Sequence, residues 1–208
     1  MIGIIDYGMG NIRSVQRALE RAEGKTLLVD RPEQLAGVDK IVLPGVAAFE
    51  DAMIQLRAQE LLDPIVESVK SGTPYLGFCL GLQLLFETSY ENGEHQGMGL
   101  LPGKVVRFDL DDYPSTPPLR VPHMGWNRIE WENEKNCPML EGLQSGQHVY
   151  FAHSYCVVPS DENIIATSTE YGYSFTSAVW KDNIFATQFH PEKSQSVGLR
   201  LLQNFVKL

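Results

Sequence analysis

Cysteine is scarce in this sequence. Three cysteines stand at Cys79, Cys137 and Cys156, odd in number, widely spaced and without a C-x-x-C pair. That pattern suggests neither a zinc site nor a disulfide framework. No metal is therefore expected, and a reducing cytoplasm is the expected compartment. Basic residues are also few. Against 26 Asp and Glu there are 17 Lys and Arg, a formal net charge of −9. With no basic patch or stripe in view, nucleic acid is not an expected partner. No apolar run reaches the length of a membrane span, so no membrane partner is expected either. The opening stretch MIGIIDYGMGN has neither a charged leader nor a cleavage site, and no signal peptide is expected. Internal repeats, low-complexity tracts and linker-like stretches are missing as well. What remains is a chain of 208 residues with 43% hydrophobic content, enough for one well-cored domain spanning 1–208.

The first half alternates strand and helix patterns. Strands are expected at IGIID (2–6), TLLVD (26–30), DKIVLPG (39–45) and TPYLGF (73–78). Between them, Ile12, Val15, Ala18 and Leu19 share one helical face, and 48–56 and 61–69 also have helical spacing. LGLQLLFETS (80–89) reads as a further helix. Such alternation with short connections implies a parallel sheet covered by helices. After about residue 98 the rhythm changes. GKVVRFDL, WNRIEWE, HVYFAHSYCVV, NIIATSTE, FTSAVWK and IFATQFH all read as strands, with few helices between them. Antiparallel pairs are expected there, which makes the sheet mixed. The proline-rich segment 111–126 reads as a loop, and a helix over about 195–206 closes the chain.

One short stretch carries the strongest chemical signal. GFCLG (77–81) has the form G-x-C-x-G, at the end of an expected strand and the start of an expected helix. That context matches the nucleophile elbow, a sharp strand-to-helix turn that presents a nucleophile. A helix N-terminus favours a thiolate, and the Leu80 amide at that start could hydrogen-bond a developing oxyanion. Gln83 lies one turn on, on the same face as Cys79. The competing reading is a core cysteine flanked by packing glycines.

A thiol nucleophile needs a base, and the base needs an orienting group. Of five histidines, His190 is the best placed. It ends an expected strand, where catalytic groups of open α/β sheets gather, and Glu192 follows two residues later across Pro191. The competing reading is a solvated surface turn. In VLPGVAAF (42–49), Pro44-Gly45 ends another strand, and the Val46 amide would lie near the same sheet edge as a second oxyanion donor.

Together, PGV near residue 45, GFCLGLQLLF near 79 and QFHPEKS near 190 resemble the class I glutamine amidotransferases, in order and in separation. The resemblance covers nearly the whole chain. It implies a flavodoxin-like α/β fold with a central mixed, largely parallel sheet flanked by helices. DYGMGN (6–11), VPHMGWN (121–127) and YFAHSY (150–155) further resemble the glutaminase subunits of imidazole glycerol phosphate synthases, in histidine biosynthesis. That resemblance implies hydrolysis of L-glutamine by a Cys79-His190-Glu192 triad, with no cofactor. The ammonia would pass to a (β/α)8 cyclase subunit in a heterodimer. Leu80 and Val46 would supply the oxyanion amides. Gln83, Ser154, Tyr155 and the Gly45 turn, with Ala47, would hold the glutamine. Met124, Trp126, Tyr150 and Lys193 would lie on the partner side, near the ammonia exit.

One position departs from the family. Its loop usually reads PGVG, and here the fourth residue is Ala47. If that residue must visit φ > 0 when the loop flips, alanine costs roughly 1 kcal/mol relative to glycine. Other readings remain at this point: a glutaminase serving a surface-sugar or pyridoxal phosphate pathway, a cysteine peptidase or γ-glutamyl hydrolase, or a non-enzymatic subunit with the same fold.

Overall fold

A computed structural model describes residues 1–115, 118–132 and 136–208. Part of the proline-rich loop expected over 111–126 therefore lies outside the described residues. The first half is built as the sequence pattern predicts. Strands β1 (Ile2–Ile5), β2 (Thr26–Val29), β3 (Lys40–Gly45) and β4 (Tyr75–Cys79) alternate with helices α1 (Ile12–Arg21), α2 (Phe49–Ala58) and α3 (Leu62–Lys70). Asn11 starts α1 by accepting the Ser14 amide through its side chain. The α1 helix buries Val15 and Leu19, four residues apart on one face. A single-turn helix, α4 (Leu80–Gln83), follows β4.

The next segment departs from expectation. Only Leu80–Gln83 of the stretch 80–89 is helical, and Phe86–Ser89 forms strand β5. The backbone turns out of the helix because Leu84 and Leu85 are drawn into the core and their carbonyls accept amides of the 98–101 segment. Strands β6 (His95–Gln96) and β7 (Leu101–Arg107) come next. They are followed by β8 (His123–Ile129), β9 (Gln147–His153), β10 (Tyr155–Pro159), β11 (Ile165–Tyr171), β12 (Tyr173–Lys181), β13 (Ile184–Thr187) and helix α5 (Gln195–Lys207). The last four residues expected in the proline-rich loop, from His123, therefore belong to a strand. Pairing across to β9 satisfies their backbone groups.

The central sheet has seven strands in the order β11-β12-β13-β4-β3-β1-β2. From β13 to β2 all pairs are parallel, and β11 and β12 add antiparallel pairs at one edge. The sheet is mixed and largely parallel, with the order 2-1-3-4 of flavodoxin-like folds. The remaining late strands do not join it. They form a four-stranded sheet, β10-β7-β5-β6, and a two-stranded hairpin, β8-β9. Apolar side chains line both faces of the central sheet. One layer takes Leu56, Ile65 and Val69 from α2 and α3, and the other takes Val15, Leu19, Leu201 and Phe205 from α1 and α5.

The elbow after β4 depends on two close approaches. A Cβ at Gly81 would stand 1.9 Å from the Leu43 carbonyl oxygen, and a Cβ at Gly77 would stand 2.4 Å from the Gly81 oxygen. The Tyr75 hydroxyl donates to the Gly81 carbonyl at 2.7 Å from below. Cys79 itself sits at φ 51°, ψ −100°, a conformation that L-residues adopt at a cost of about 1–2 kcal/mol. Gly81→Ala is therefore expected to lower stability by roughly 3 kcal/mol or more, since the clash is with backbone. Gly37→Ala, with open space around it, should stay within about 0.5 kcal/mol. Urea unfolding of the two variants side by side checks both values; equal midpoints would remove the packing requirement.

Candidate active site

The carboxyl ends of β3, β4 and β13 lie side by side, with Gly45 paired to Cys79 and Thr187 paired to Phe78. A cavity of about 590 Å³ opens over these ends. It is lined by Val46, Ala47, Cys79, Leu80, Gln83, Met124, Ser154, Tyr155, His190 and Lys193 among the residues expected at the site. Thus the turn after β3, the elbow after β4 and the segment after β13 converge on one space. The amide of Leu80, first residue of α4, has no partner within that helix, and Leu80 lines the cavity. The helix has only one turn, so its dipole is much smaller than the ten-residue helix expected from sequence would carry.

His190, Glu192 and Cys79 form a connected set. His190 Nδ1 hydrogen-bonds Glu192 Oε1 at 2.9 Å, and both side chains are 3% exposed. Burial alone would pull the His190 imidazolium down. Interaction with the Cys79 sulfur and then with the Glu192 carboxylate outweighs it, and the pKa is raised to about 9. The turn that carries His190 is fixed from three directions. Its amide donates to the Tyr150 carbonyl, the Ser194 hydroxyl donates to its carbonyl at 2.7 Å, and the Tyr150 amide donates to that same hydroxyl oxygen.

The turn after β3 is less constrained. Tyr7, fully buried, donates its hydroxyl to the Pro44 carbonyl at 3.1 Å, and a Cβ at Gly45 would meet that hydroxyl at 2.5 Å. Gly45 thus lies behind the cavity, not on its wall. Burial, and the charge of the nearby Cys79 sulfur, push the Tyr7 phenol upward, so it stays a neutral donor. Val46 projects outward and is 59% exposed. Ala47 is not among the non-glycine residues at positive φ, so the loop rests in the state that alanine tolerates.

Several residues at this site carried no recognised signal in the sequence. Glu91 lines the cavity, and its Oε2 accepts the Phe49 amide at the start of α2. It sits alone in an irregular loop, where an acidic residue is unremarkable. Gln188 donates to the Cys79 sulfur at 3.5 Å. His153 lines the cavity, His123 lies behind it, and the two buried rings hydrogen-bond each other, Nδ1 to Nε2, at 3.1 Å. Here the alternation of β8 and β9 was a usable signal. His123 and His153 face inward, whereas Met124 and Trp126 face outward at 65% and 47% exposure. Trp126 meets Tyr150 edge to face across the hairpin, and the Lys193 ammonium lies 5.7 Å from the Tyr150 ring. Trp126 and Tyr150 therefore form an outer surface beside the cavity mouth and not part of its wall.

The two buried histidines are neutral. Burial lowers His123 to about 4. It lowers His153 to about 3, against the opposing pull of the Tyr155 carbonyl. Their tautomers follow from the partners. His153 Nδ1 must donate to the Tyr155 carbonyl at 2.8 Å, so its Nε2 accepts from His123 Nδ1, and His123 Nε2 accepts from Asn127 Nδ2 at 3.3 Å.

With this geometry, the fold and the site define a class of cysteine-dependent amidotransferases. The chain belongs to the class-I glutamine amidotransferase family, whose model matches residues 3–208. It is 54% identical over 205 residues to the imidazole glycerol phosphate synthase subunit HisH of Syntrophotalea carbinolica, covering 99% of this chain and 98% of that protein. The HisH subunit of Salinibacter ruber is 47% identical over 208 residues, covering 100% and 94%. Among solved structures, a glutamine amidotransferase superposes with a TM-score of 0.76 at 19% identity, covering 100% of this chain and 99% of that one. PurLQS from Thermotoga maritima follows at 0.74 and 19%, covering 99% and 97%. These two bear on the fold alone. Among the described residues no helix is long and apolar enough to cross a membrane, and no group of metal-binding side chains occurs.

The neutral histidine pair sets an acid limit on stability. An unfolded histidine titrates near 6.5. The folded pair stays neutral down to about 4 and about 3, so the unfolded chain binds more protons below 6.5. Stability is therefore full above pH 6.5 and falls as pH drops toward 4, by about 1.4 kcal/mol per pH unit for each histidine. His190 has the opposite sign, since its contribution is complete below 6.5 and is lost as pH rises through about 9. It adds no slope in the acid window. Urea unfolding at pH 7, 6 and 5 should show a shallower decline for His123→Gln than for the natural chain, and parallel declines would contradict the assignment.

Proposed function

We infer that this chain is the glutaminase subunit of an imidazole glycerol phosphate synthase in histidine biosynthesis. The observation that carries the reading is identity of about half the residues, over nearly the full length, to HisH subunits. The meeting of Cys79 and His190 at one cavity, with Glu192 hydrogen-bonded to His190 behind it, supports it. All 208 residues are taken as one glutamine amidotransferase domain, working in the cytoplasm.

In this reading the Cys79 sulfur attacks the side-chain amide carbon of glutamine. His190 holds the thiol proton and gives it to the departing nitrogen, so ammonia leaves and a γ-glutamyl thioester remains. Water, deprotonated by the now neutral His190, adds to the thioester carbon. Glutamate departs, and the proton returns to the sulfur–imidazole pair. Glu192 orients His190 and stabilises its charge. The Leu80 and Val46 amides bind the oxyanion. Gln83, Ser154, Tyr155 and the Gly45–Ala47 turn hold the substrate. Glu91, the carboxylate among the cavity-lining residues, matches the α-ammonium group. The partner is a (β/α)8 cyclase, seated on Met124, Trp126, Tyr150 and Lys193. Exposed Met and aromatic side chains are the kind enriched at such contacts.

Cys79→Ala is expected to abolish glutamine-dependent synthesis by the complex and to leave ammonium-dependent synthesis by the cyclase intact. Glutamine use retained by that variant would refute the sulfur's role. Hydrolysis of γ-glutamyl peptides in place of glutamine would move the chain to the γ-glutamyl hydrolases.

The oxyanion loop gives a second test. In the resting loop Ala47 avoids positive φ. Completing the oxyanion site by a peptide flip would draw Ala47 toward the left-handed region, at roughly 1 kcal/mol above glycine. Ala47→Gly should therefore raise the glutaminase rate of the isolated subunit about fivefold, with a smaller gain in the presence of the ligand-loaded cyclase. An unchanged rate in the isolated subunit would show that Ala47 does not restrain the loop.

A further inference from the structure

Gln188 is fully buried, two residues before His190 on the bent segment that leaves β13. Gln188 and His190 both interact with the Cys79 sulfur. The Gln188 side-chain nitrogen stands 3.5 Å from it.

The orientation of the Gln188 amide is fixed by its neighbours. A backbone carbonyl can only accept, so the Gln83 side-chain nitrogen must face the Tyr155 oxygen, 3.1 Å away. That nitrogen also donates to Gln188 Oε1 at 3.3 Å. With its oxygen so engaged, Gln188 turns its NH2 toward Cys79. If the amide were reversed, two NH2 groups would face each other and an oxygen would face the sulfur. The Tyr155 carbonyl is itself held by His153 Nδ1 at 2.8 Å, His153 by His123, and His123 by Asn127. Two donor chains thus meet at the Tyr155 carbonyl: one enters it from His153, and from Gln83, which also donates to it, the other runs through Gln188 to the sulfur. A sulfur that carries negative charge in a buried site needs such donors. The Ala152 carbonyl, 3.9 Å away, serves the protonated thiol only.

We propose that Gln188 is a further catalytic residue, whose side-chain N–H stabilises the negative charge on the Cys79 sulfur alongside His190. Gln83 and His153 are positioning residues for that amide. The proposal rests on Cys79 being the nucleophile of the glutaminase, and the test separates the two ideas.

The measurement is the pH dependence of Cys79 alkylation by iodoacetamide, followed on the Cys79 peptide by mass spectrometry, which needs no glutamine. In Gln188→Leu the midpoint should rise by about one pH unit, and kcat for glutamine should fall about tenfold with KM changed less than twofold. Gln188→Glu keeps the size and turns an oxygen to the sulfur, so its midpoint should rise further. It serves as the second variant if the leucine chain does not fold. A folded variant, by urea midpoint, with the natural alkylation midpoint and the natural kcat would overturn the proposal. Absence of glutamine hydrolysis by the natural chain together with the ligand-loaded cyclase would instead refute the glutaminase reading, while the alkylation midpoints would still decide the role of the amide.

Discussion

The site depends on one close contact, the passage of the Gly81 backbone over the Leu43 carbonyl of the neighbouring strand. Nothing with a side chain fits there. That contact lets a one-turn helix sit directly on the parallel sheet, and the helix forces Cys79 into a left-handed conformation. The strain is useful because it lifts the sulfur off the strand end and into the cavity. It also leaves the Leu80 amide at a helix start and places Gln83 one turn further on. Tyr75 below, through its bond to the Gly81 carbonyl, and Tyr7 behind the Pro44–Gly45 turn brace the two strand ends that meet at this point. Cys79 and Gly45 are register partners, so any displacement of the elbow also moves the turn after β3.

Three histidines lie near the sulfur, and their surroundings set them to different charges. His190 has a carboxylate on one nitrogen and the sulfur on the other side, and it holds its proton to about pH 9. Among the described residues, His123 and His153 hydrogen-bond each other, an amide and a carbonyl, and burial keeps them neutral. The difference is decided by the partners, since all three are buried. A charged His153 would repel the His190 imidazolium and would have no acceptor for its second proton. The neutral pair thus serves as a rigid polar wall, and the charge is confined to the residue paired with Glu192.

Much of this was legible in the sequence, for identifiable reasons. The β-α alternation of the first half, the G-x-C-x-G turn and the His-Pro-Glu turn are local patterns, and local patterns report local structure. The late strands were recognised as strands, but not their assignment to three sheets, because pairing is a non-local choice. The stretch 80–89 misled for a related reason. Its leucines fit a helical face, yet tertiary hydrogen bonds to Leu84 and Leu85 turn Phe86–Ser89 into a strand. Gln188 stood two residues before His190, and that closeness in sequence to the candidate base was its signal. Glu91 had no such signal, since only the folded loop brings its carboxylate to the start of α2 and the cavity.

The cavity has one rigid wall and one adjustable wall. The rigid wall is the β8–β9 hairpin with the His190 turn, joined by the Tyr150–His190 and Tyr150–Ser194 bonds and by the histidine pair. The adjustable wall is the turn after Gly45. Pro44 is held by Tyr7, and α2 is held at Phe49 by Glu91, but among the described residues the exposed Val46 between them has no such anchor. A peptide fixed at both ends and free in the middle has few arrangements available, which suits a two-state switch better than a gradual deformation. The outward residues of the hairpin, Met124 and Trp126, lie on the strand whose inward residue is His123. Met124 and the exposed Val46 both line the cavity, so the outer surface of the hairpin and the turn after Gly45 border one space.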